Sequence, residues 1–324
     1  MMKRILSLGI IFLNLLFWVF GLNLLGREGK LTDLEVAKLA SLKSIVKILI
    51  KVPIRGRSYI NNFESGIVID RSRLIIEREV NKKKEIEEIF VYQILTCPHG
   101  IGSQGVLLKY WQEEGIKIFV EGPEEDIDGK KQVRFEASLL AWNWDVESML
   151  LELRIPKALD SEITLIPVKI GDKLPISLSQ SLKEGVDFSE VWVTGFPASG
   201  FSGNIDRILT VCQGMVAKYE INKQVNPRFF VAKTMNISLF GLSGPGVSGG
   251  GIFMMNKDKK PVLVGMVGFA PSYAGGNFVV GIPIDVIVEG FLKAIPGLSL
   301  ELPNFKISDK FLKNKTFFPS QGIK

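Results

Sequence analysis

The sequence predicts an all-β fold, either a sandwich or barrels, rather than a layered α/β structure. Short apolar stretches recur from residue 44 to residue 282, which is the pattern of strands. Turn-forming residues separate them, with 32 Gly and 15 Pro in the 324-residue chain. Stretches that predict helices are confined to residues 5–25, 31–42 and 285–294. Many short strands with few helices indicate the all-β class.

The first residues predict a membrane-spanning helix. Lys3 and Arg4 give a positive start, and residues 5–25 are almost wholly apolar. About 20 apolar residues can span a bilayer, whereas the core of a cleaved signal peptide has roughly 7 to 15. Residues 21–27 contain no Ala-x-Ala cleavage site. We therefore expect residues 1–30 to be an uncleaved signal anchor that holds an extracytoplasmic protein, periplasmic or at the cell surface, to the membrane. Cleavage would make the protein secreted.

Residues 31–156 predict a short helix and then a first set of strands. The helix is expected at residues 31–42. The strands are expected at residues 44–52, 64–70, 91–96, 105–110, 115–121, 133–144 and 149–155. Residues 55–62 and the mixed-charge run 81–88 are expected to be turns or hairpin tips, because solvated charged residues favour loops over strand interiors.

Residues 157–298 predict a second set of strands and a closing helix. The connection between the two sets is expected at residues 157–172. The strands are expected at residues 191–195, 208–218, 228–234, 251–255, 262–269 and 277–282. A short helix is expected at residues 285–294, because Pro and Gly follow it at once. The remaining residues, 299–324, are a basic tail that we expect to be solvated.

One serine, Ser248, lies in a turn of small residues, Gly246 to Gly251. Glycine permits a tight turn and lets a substrate approach closely. The N–H groups of Gly246 and Ser248 could point at one place and stabilise a carbonyl oxygen that becomes negative. A serine hydroxyl is a weak nucleophile without a base, and the single histidine of the chain, His99, follows an apolar strand. The pattern predicts nucleophilic catalysis by Ser248 with His99 as the base.

Five segments resemble those of chymotrypsin-fold serine proteases and occur in that family's chain order. They are Ser65–Asp70, Ile94–His99, Val191–Pro197, Pro245–Gly250 and Phe278–Asp285. The pattern is most like that of bacterial trypsin-like peptidases of HtrA type. The resemblance, over residues 36–292, implies two packed six-stranded antiparallel β-barrels of chymotrypsin type. It would divide them at residues 156 and 157, with no PDZ domain after the protease core.

The resemblance also implies an acidic residue that orients the histidine, and two carboxylates are candidates. The family places the acid between His and Ser, just before an apolar strand. We prefer Asp145, because the family normally uses the shorter carboxylate. An ungapped match of Leu150–Leu153 to the family's pattern instead selects Glu147. If this piece is extended, both side chains share one face, since strand side chains alternate.

The activity implied by the resemblance is peptide-bond hydrolysis, without a metal or organic cofactor. Leu242 stands where the family places the floor of its primary pocket, and Gly265 and Gly268 belong to the wall, which implies a small or medium apolar substrate side chain. The expected partners are a peptide or protein substrate and the membrane, and the oligomeric state stays open. The alternative is a pseudoprotease that binds peptides or a partner without turnover. Three features keep that alternative open: Val247 before the serine, the Cys97-Pro98 pair before the histidine, and the irregular acid segment.

Composition excludes other classes. The net charge of +6 is diffuse, and basic and aromatic residues are not interleaved, so we expect no nucleic-acid partner. The segment Asp126-x-Asp128-Gly129 lacks the later bidentate Glu of a calcium loop, so we expect no metal there. The two cysteines, Cys97 and Cys212, are expected to be buried free thiols; the alternative in an exported protein is a disulfide bond between them.

Overall fold

The computed structural model describes residues 31–54, 58–80, 83–101, 116–121, 134–162, 165–171, 190–199, 206–207, 209–220, 234–239, 246–269, 278–296, 298 and 315–317. The strands are β1 Ile45–Ile54, β2 Ser58–Val80, β3 Lys83–Thr96, β4 Lys117–Glu121, β5 Arg134–Asn143, β6 Ser148–Pro156, β7 Lys169–Ile170, β8 Glu190–Gly195, β9 Ala198–Ser199, β10 Asp206–Arg207, β11 Thr210–Glu220, β12 Thr234–Leu239, β13 Gly251–Met255, β14 Pro261–Phe269, β15 Phe278–Pro283 and β16 Lys315–Phe317. The helices are α1 Asp33–Leu42 and α2 Ile284–Gly290, and 3-10 turns lie at His99–Ile101, Trp144–Val146, Lys157–Glu162 and Leu292–Ala294.

The first six strands close into an antiparallel barrel. They are hydrogen-bonded in the order β5-β4-β1-β2-β3-β6, and β6 pairs again with β5 to complete the ring. Alternate residues of β1 face the interior, because strand side chains point to opposite faces in turn. Val46, Ile48 and Ile50 are therefore fully buried in one core with Trp142 and Leu151. Burial of each such side chain stabilises the barrel by about 1.5–3 kcal/mol.

The second barrel is built in the same way. Its strands follow the order β13-β8-β11-β12-β15-β14, and β13 pairs with β14 to close the ring. The short strand β7 adds to β14 in the parallel direction. The core contains Val193, Ile237, Ile252 and Val279, all buried. Both barrels belong to one compact unit, residues 37–324.

The all-β prediction is confirmed, and each barrel closes through six strands as the resemblance implied. The short C-terminal helix is also found, as α2 and the 3-10 turn that follows it. The predicted transmembrane helix falls on residues 1–30, outside the described residues. Within the described part of the chain, neither helix has the length and apolar character that a membrane crossing requires.

The turns predicted on either side of β2 are too long. Strand β2 begins at Ser58 and β3 begins at Lys83, so most of residues 55–62 and 81–88 lie in strands. The charges that suggested a loop are paired across the hairpin. Glu77 and Lys84 lie 3.7 Å apart, and Arg73 and Glu88 2.6 Å apart. Opposite charges on neighbouring strands support pairing, which is why a charged segment forms a strand here.

Five strands were not predicted: β7, β9, β10, β12 and β16. β12 begins at Thr234, where the predicted strand 228–234 ends, and residues 228–233 lie outside the described residues. β16 falls in the tail that was expected to be solvated, and it pairs antiparallel with residues 141–143 of β5. A tail segment therefore pairs with the part of β5 that extends beyond β4.

Candidate active site

Ser248 lies in residues 246–250, which we call the nucleophile turn. This turn is buried and leads directly into β13. Gly246 has a φ of 97° and Gly249 a φ of 79°, which glycine adopts without strain. A Cβ on Gly249 would collide with the Ser65 carbonyl oxygen. Ser248 itself is 9% exposed, so solvent still contacts the serine although the residues around it are packed.

Hydrogen bonds hold all three carbonyl groups of residues 246–248. The Ser65 hydroxyl donates to the Gly246 oxygen at 2.8 Å. The Gly250 N–H donates to the Val247 oxygen at 2.8 Å, and the Ser65 N–H donates to the Ser248 oxygen at 2.8 Å. The peptide planes of the turn are fixed as a result.

These bonds set the direction of the Ser248 N–H group. In a trans peptide the N–H points away from the carbonyl oxygen of the preceding residue, and the described residues include no cis peptide bond. Since the Val247 oxygen faces Gly250, the Ser248 N–H points to the opposite side. No backbone oxygen of the described residues accepts this N–H. The Gly246 N–H belongs to the peptide with Pro245, which lies outside the described residues.

His99 begins the 3-10 turn that follows β3, and its side chain lies outside the described part of the structure. The backbone around it is anchored on both sides. Before the turn, the Thr96 hydroxyl donates to the Ser65 oxygen at 2.7 Å. Within it, the Asn62 amide donates to the Gly100 oxygen at 2.5 Å. The histidine segment is therefore tied to β2, and in particular to the serine that also anchors the nucleophile turn.

A second anchor is shared by the two segments. The Val267 oxygen, in β14, accepts the Gly249 N–H at 2.8 Å and the Cys97 thiol at 3.2 Å. Neither cysteine forms a disulfide bond; Cys97 is buried, as expected, whereas Cys212 is half-buried. Burial raises the pKa of the Cys212 thiol. Through Ser65 in the first barrel and Val267 in the second, the nucleophile turn and the histidine segment are fixed to the same two points.

The acid candidates lie between β5 and β6 in what we call the acid turn, residues 144–147. Asp145 is within the 3-10 turn Trp144–Val146, and Glu147 is the residue that ends it. The Asn143 side chain caps the turn by accepting the Asp145 N–H at 2.9 Å. Its amide group donates to the Gly290 oxygen of α2 at 2.9 Å. The acid turn is thus fixed to the C-terminal helix by one asparagine.

The piece that carries Asp145 and Glu147 is not extended, so the condition under which the two side chains would share one face is not met. The chain completes a helical turn and then places Glu147 in the left-handed region, with a φ of 47°. Asp145 is partly exposed, and Glu147 is only 2% exposed. The two carboxylates therefore lie in different surroundings, one facing solvent and the other packed inside.

Strand pairing places the acid turn and the histidine at the same end of the first barrel. Met149, near the start of β6, is opposite Thr96 at the end of β3. Because the two strands are antiparallel, Glu147 before β6 and His99 after β3 extend beyond the same end of the pair. This holds whatever the direction of their side chains.

Of the predicted pocket residues, Gly265 and Gly268 are buried in β14, and Leu242 lies outside the described residues. Sequence analysis did not single out Ser65 or Glu64. Glu64 is 3% exposed and lies against Gly100, directly after the histidine. Nothing in the local pattern marks either residue, because their contacts lie far along the chain. Among the described residues, no group of three or more His, Cys, Asp or Glu could hold a metal ion.

No family model and no curated protein sequence matches the chain. The chain is similar to solved structures of chymotrypsin-fold serine proteases. The active form of the Rv3671c protease from M. tuberculosis is 16% identical with a TM-score of 0.45, over 83% of this chain and 88% of that one. Deg5 is 15% identical with a TM-score of 0.45, over 79% and 91%. The scabies mite inactivated protease paralogue S-D1 is 12% identical with a TM-score of 0.45, over 79% and 93%.

Proposed function

We propose that the chain is a trypsin-like serine endopeptidase that hydrolyses peptide bonds by acyl transfer. The observation that carries the proposal is the nucleophile turn. Its serine stands between two glycines at positive φ, Gly246 and Gly249, and the Ser248 N–H points away from the turn's own hydrogen bond. The turn also shares two anchors with the segment of His99. A buried turn with this donor arrangement suits a carbonyl oxygen that gains charge during acyl transfer.

In the proposed reaction, the Ser248 hydroxyl attacks the scissile carbonyl carbon while His99 takes the hydroxyl proton. The N–H groups of Gly246 and Ser248 bind the resulting oxyanion. His99 then protonates the leaving amine as the tetrahedral intermediate collapses to an acyl-enzyme. Water repeats the sequence and releases the carboxylic acid and the serine hydroxyl.

We assign Glu147 as the acid that orients His99, in place of the Asp145 preferred from sequence. Glu147 is buried, and it extends from β6 at the end of the barrel where His99 follows β3. A non-glycine residue in the left-handed region costs about 1 kcal/mol or more, and such residues concentrate at functional sites. Asp145 is partly exposed, where water would compete for the imidazole.

We also propose that residues 1–30 anchor the enzyme and leave its barrels outside the cytoplasmic membrane. The apolar run from residue 5 to residue 25 supports this part of the proposal. For specificity we propose a small or medium apolar residue before the scissile bond, because Leu242 supplies no carboxylate to pair with Lys or Arg. Peptides that differ only at that residue test the specificity, and faster cleavage after Arg would contradict it.

The decisive experiment treats the full chain, purified in detergent, with a fluorophosphonate probe. Attack by the Ser248 oxygen forms a bond to phosphorus, fluoride leaves, and the hydroxyl proton passes to His99. We expect labelling of the wild type, none of Ser248→Ala, and a fall of roughly 10³-fold or more for His99→Ala. A folded wild type that is not labelled would contradict the proposal and favour peptide binding without turnover.

A further inference from the structure

Ser65, in β2, is fully buried and uses every polar group it has on the segments of the candidate site. Its hydroxyl donates to the Gly246 oxygen and accepts the Phe196 N–H, both at 2.8 Å. Its N–H donates to the Ser248 oxygen at 2.8 Å, and its carbonyl accepts the Thr96 hydroxyl at 2.7 Å. One residue of the first barrel therefore contacts the nucleophile turn, the histidine strand and the residue after β8.

We propose that Ser65 is a positioning residue that holds the nucleophile turn in the conformation that binds an oxyanion. The inference rests on the proposed function and deepens it. The two donors of Ser65 hold the carbonyl groups of Gly246 and Ser248, one on each side of Val247. The proposed oxyanion donors are the N–H groups of these same two residues. Ser65 thus fixes both ends of the three-residue turn that presents them.

The hydroxyl of Ser65 has no available substitute. Ser65 has no exposed surface, and a Cβ on Gly195 would lie only 2.9 Å from its oxygen, so the space beside it is filled. If the hydroxyl is removed, the Gly246 oxygen and the Phe196 N–H each lose a buried partner. A buried carbonyl without a donor tends to rotate toward another one, because desolvation without a hydrogen bond is costly. Rotation at Gly246 is easy, since glycine tolerates many backbone angles.

The chain contains a matched control, Ser41. It is fully buried, and its hydroxyl donates to the Lys38 oxygen at 2.6 Å and accepts the Trp192 indole N–H at 2.9 Å. It therefore has the same number of donated and accepted bonds as the Ser65 hydroxyl. Its partners lie in α1 and β8, and none belongs to the nucleophile turn. The two Ser→Ala variants remove the same number of hydroxyl bonds, but only Ser65→Ala releases the turn.

The test compares the labelling kinetics of the full-length wild type, Ser65→Ala and Ser41→Ala with the fluorophosphonate probe. For Ser65→Ala we expect the maximal labelling rate to fall roughly 10- to 100-fold, because misplaced oxyanion donors slow the chemical step. The half-saturating concentration should stay within about 2-fold, because the turn and not the pocket changes. Ser41→Ala should stay within about 2-fold of the wild type in both. Equal losses in the two variants, or a change in half-saturation alone, would overturn the inference.

A second measurement does not depend on activity. Amide hydrogen exchange of residues 246–250 should be faster in Ser65→Ala than in Ser41→Ala. The bond from the Gly250 N–H to the Val247 oxygen closes the turn, and we expect it to open more often when Ser65 no longer holds the Gly246 carbonyl. If the wild type is not labelled at all, the proposed function fails, and the exchange result alone decides the role of Ser65. Equal exchange in the two variants overturns that role.

Should Ser65→Ala not fold, Ser65→Cys provides the same comparison. Its thiol keeps a donor at this position, although a weaker and larger one than the hydroxyl. We expect a labelling rate between those of the wild type and a variant without a donor, with a half-saturating concentration that does not change. A Ser65→Cys variant that folds and labels at the wild-type rate would contradict the inference.

Discussion

The nucleophile turn and the acid turn both pass through left-handed backbone, but with opposite kinds of residue. At Gly249, φ is 79° and the space for a Cβ is already taken by Ser65 and Thr96. At Glu147, φ is 47° and a long buried side chain is present. The first turn has glycine because its neighbours need the space. The second turn has a residue whose backbone is strained, and we infer that this residue is kept because its side chain is needed there.

The two turns are also anchored differently. Main-chain groups of residues 246–250 are held by Ser65 in the first barrel and Val267 in the second. The acid turn is capped by a side chain, that of Asn143, which also bonds to α2. The difference is that main-chain bonds to both barrels hold the nucleophile turn, whereas a side-chain cap helps to hold the turn that carries the two carboxylates.

The largest effect is expected from Glu147→Gln. The amide has the same size as the carboxylate, so the backbone at this position is kept while the charge that holds the imidazole is lost. We expect the fluorophosphonate labelling rate to fall roughly 10³- to 10⁴-fold. The control, Asp145→Asn, should change the rate by less than about 3-fold. If Asp145→Asn lowered the labelling rate more than Glu147→Gln, the role of the acid would be assigned to Asp145. The strain at Glu147 would then have no functional explanation.

Gly249→Ala should mainly destabilise the fold. A Cβ would enter space held by the Ser65 oxygen and the Thr96 hydroxyl, and alanine resists a φ of 79°. We expect a loss of about 3–4 kcal/mol in the free energy of unfolding. The control is Gly268→Ala, where the nearest atoms to a Cβ lie 3.3 Å away and the expected loss is below about 1.5 kcal/mol. Urea unfolding measures both, and equal losses would show that the turn can relax.

The sequence was sufficient for most strands of the two barrels, because these strands depend on local patterns, and the segments of His99 and Ser248 were proposed on the same kind of evidence. Alternating apolar residues predict a strand wherever it lies, and a Gly-rich turn marks itself. The strain at Glu147 could not be predicted, because it depends on how β5 and β6 meet. The role of Ser65 was equally hidden, since its hydroxyl bonds Gly246 at a separation of 181 residues. Bonds of this kind appear only when the two barrels are packed.

The smallest effect is expected in the turn between β13 and β14, where it measures the cost of left-handed backbone in this protein. Among the described residues, Lys259 is the other non-glycine residue at positive φ, with a value of 62° in the exposed turn between β13 and β14. Lys259→Gly should stabilise the protein by about 0.5 kcal/mol, because the relief of left-handed strain slightly exceeds the extra freedom of glycine in the unfolded chain. Lys257→Gly, in the same turn without positive φ, should destabilise by about 0.5–1 kcal/mol. If thermal unfolding showed that both variants change the stability in the same direction, left-handed backbone would cost this protein little. The strain at Glu147 would then no longer favour it over Asp145, and the assignment of the acid would rest on burial and on strand pairing alone.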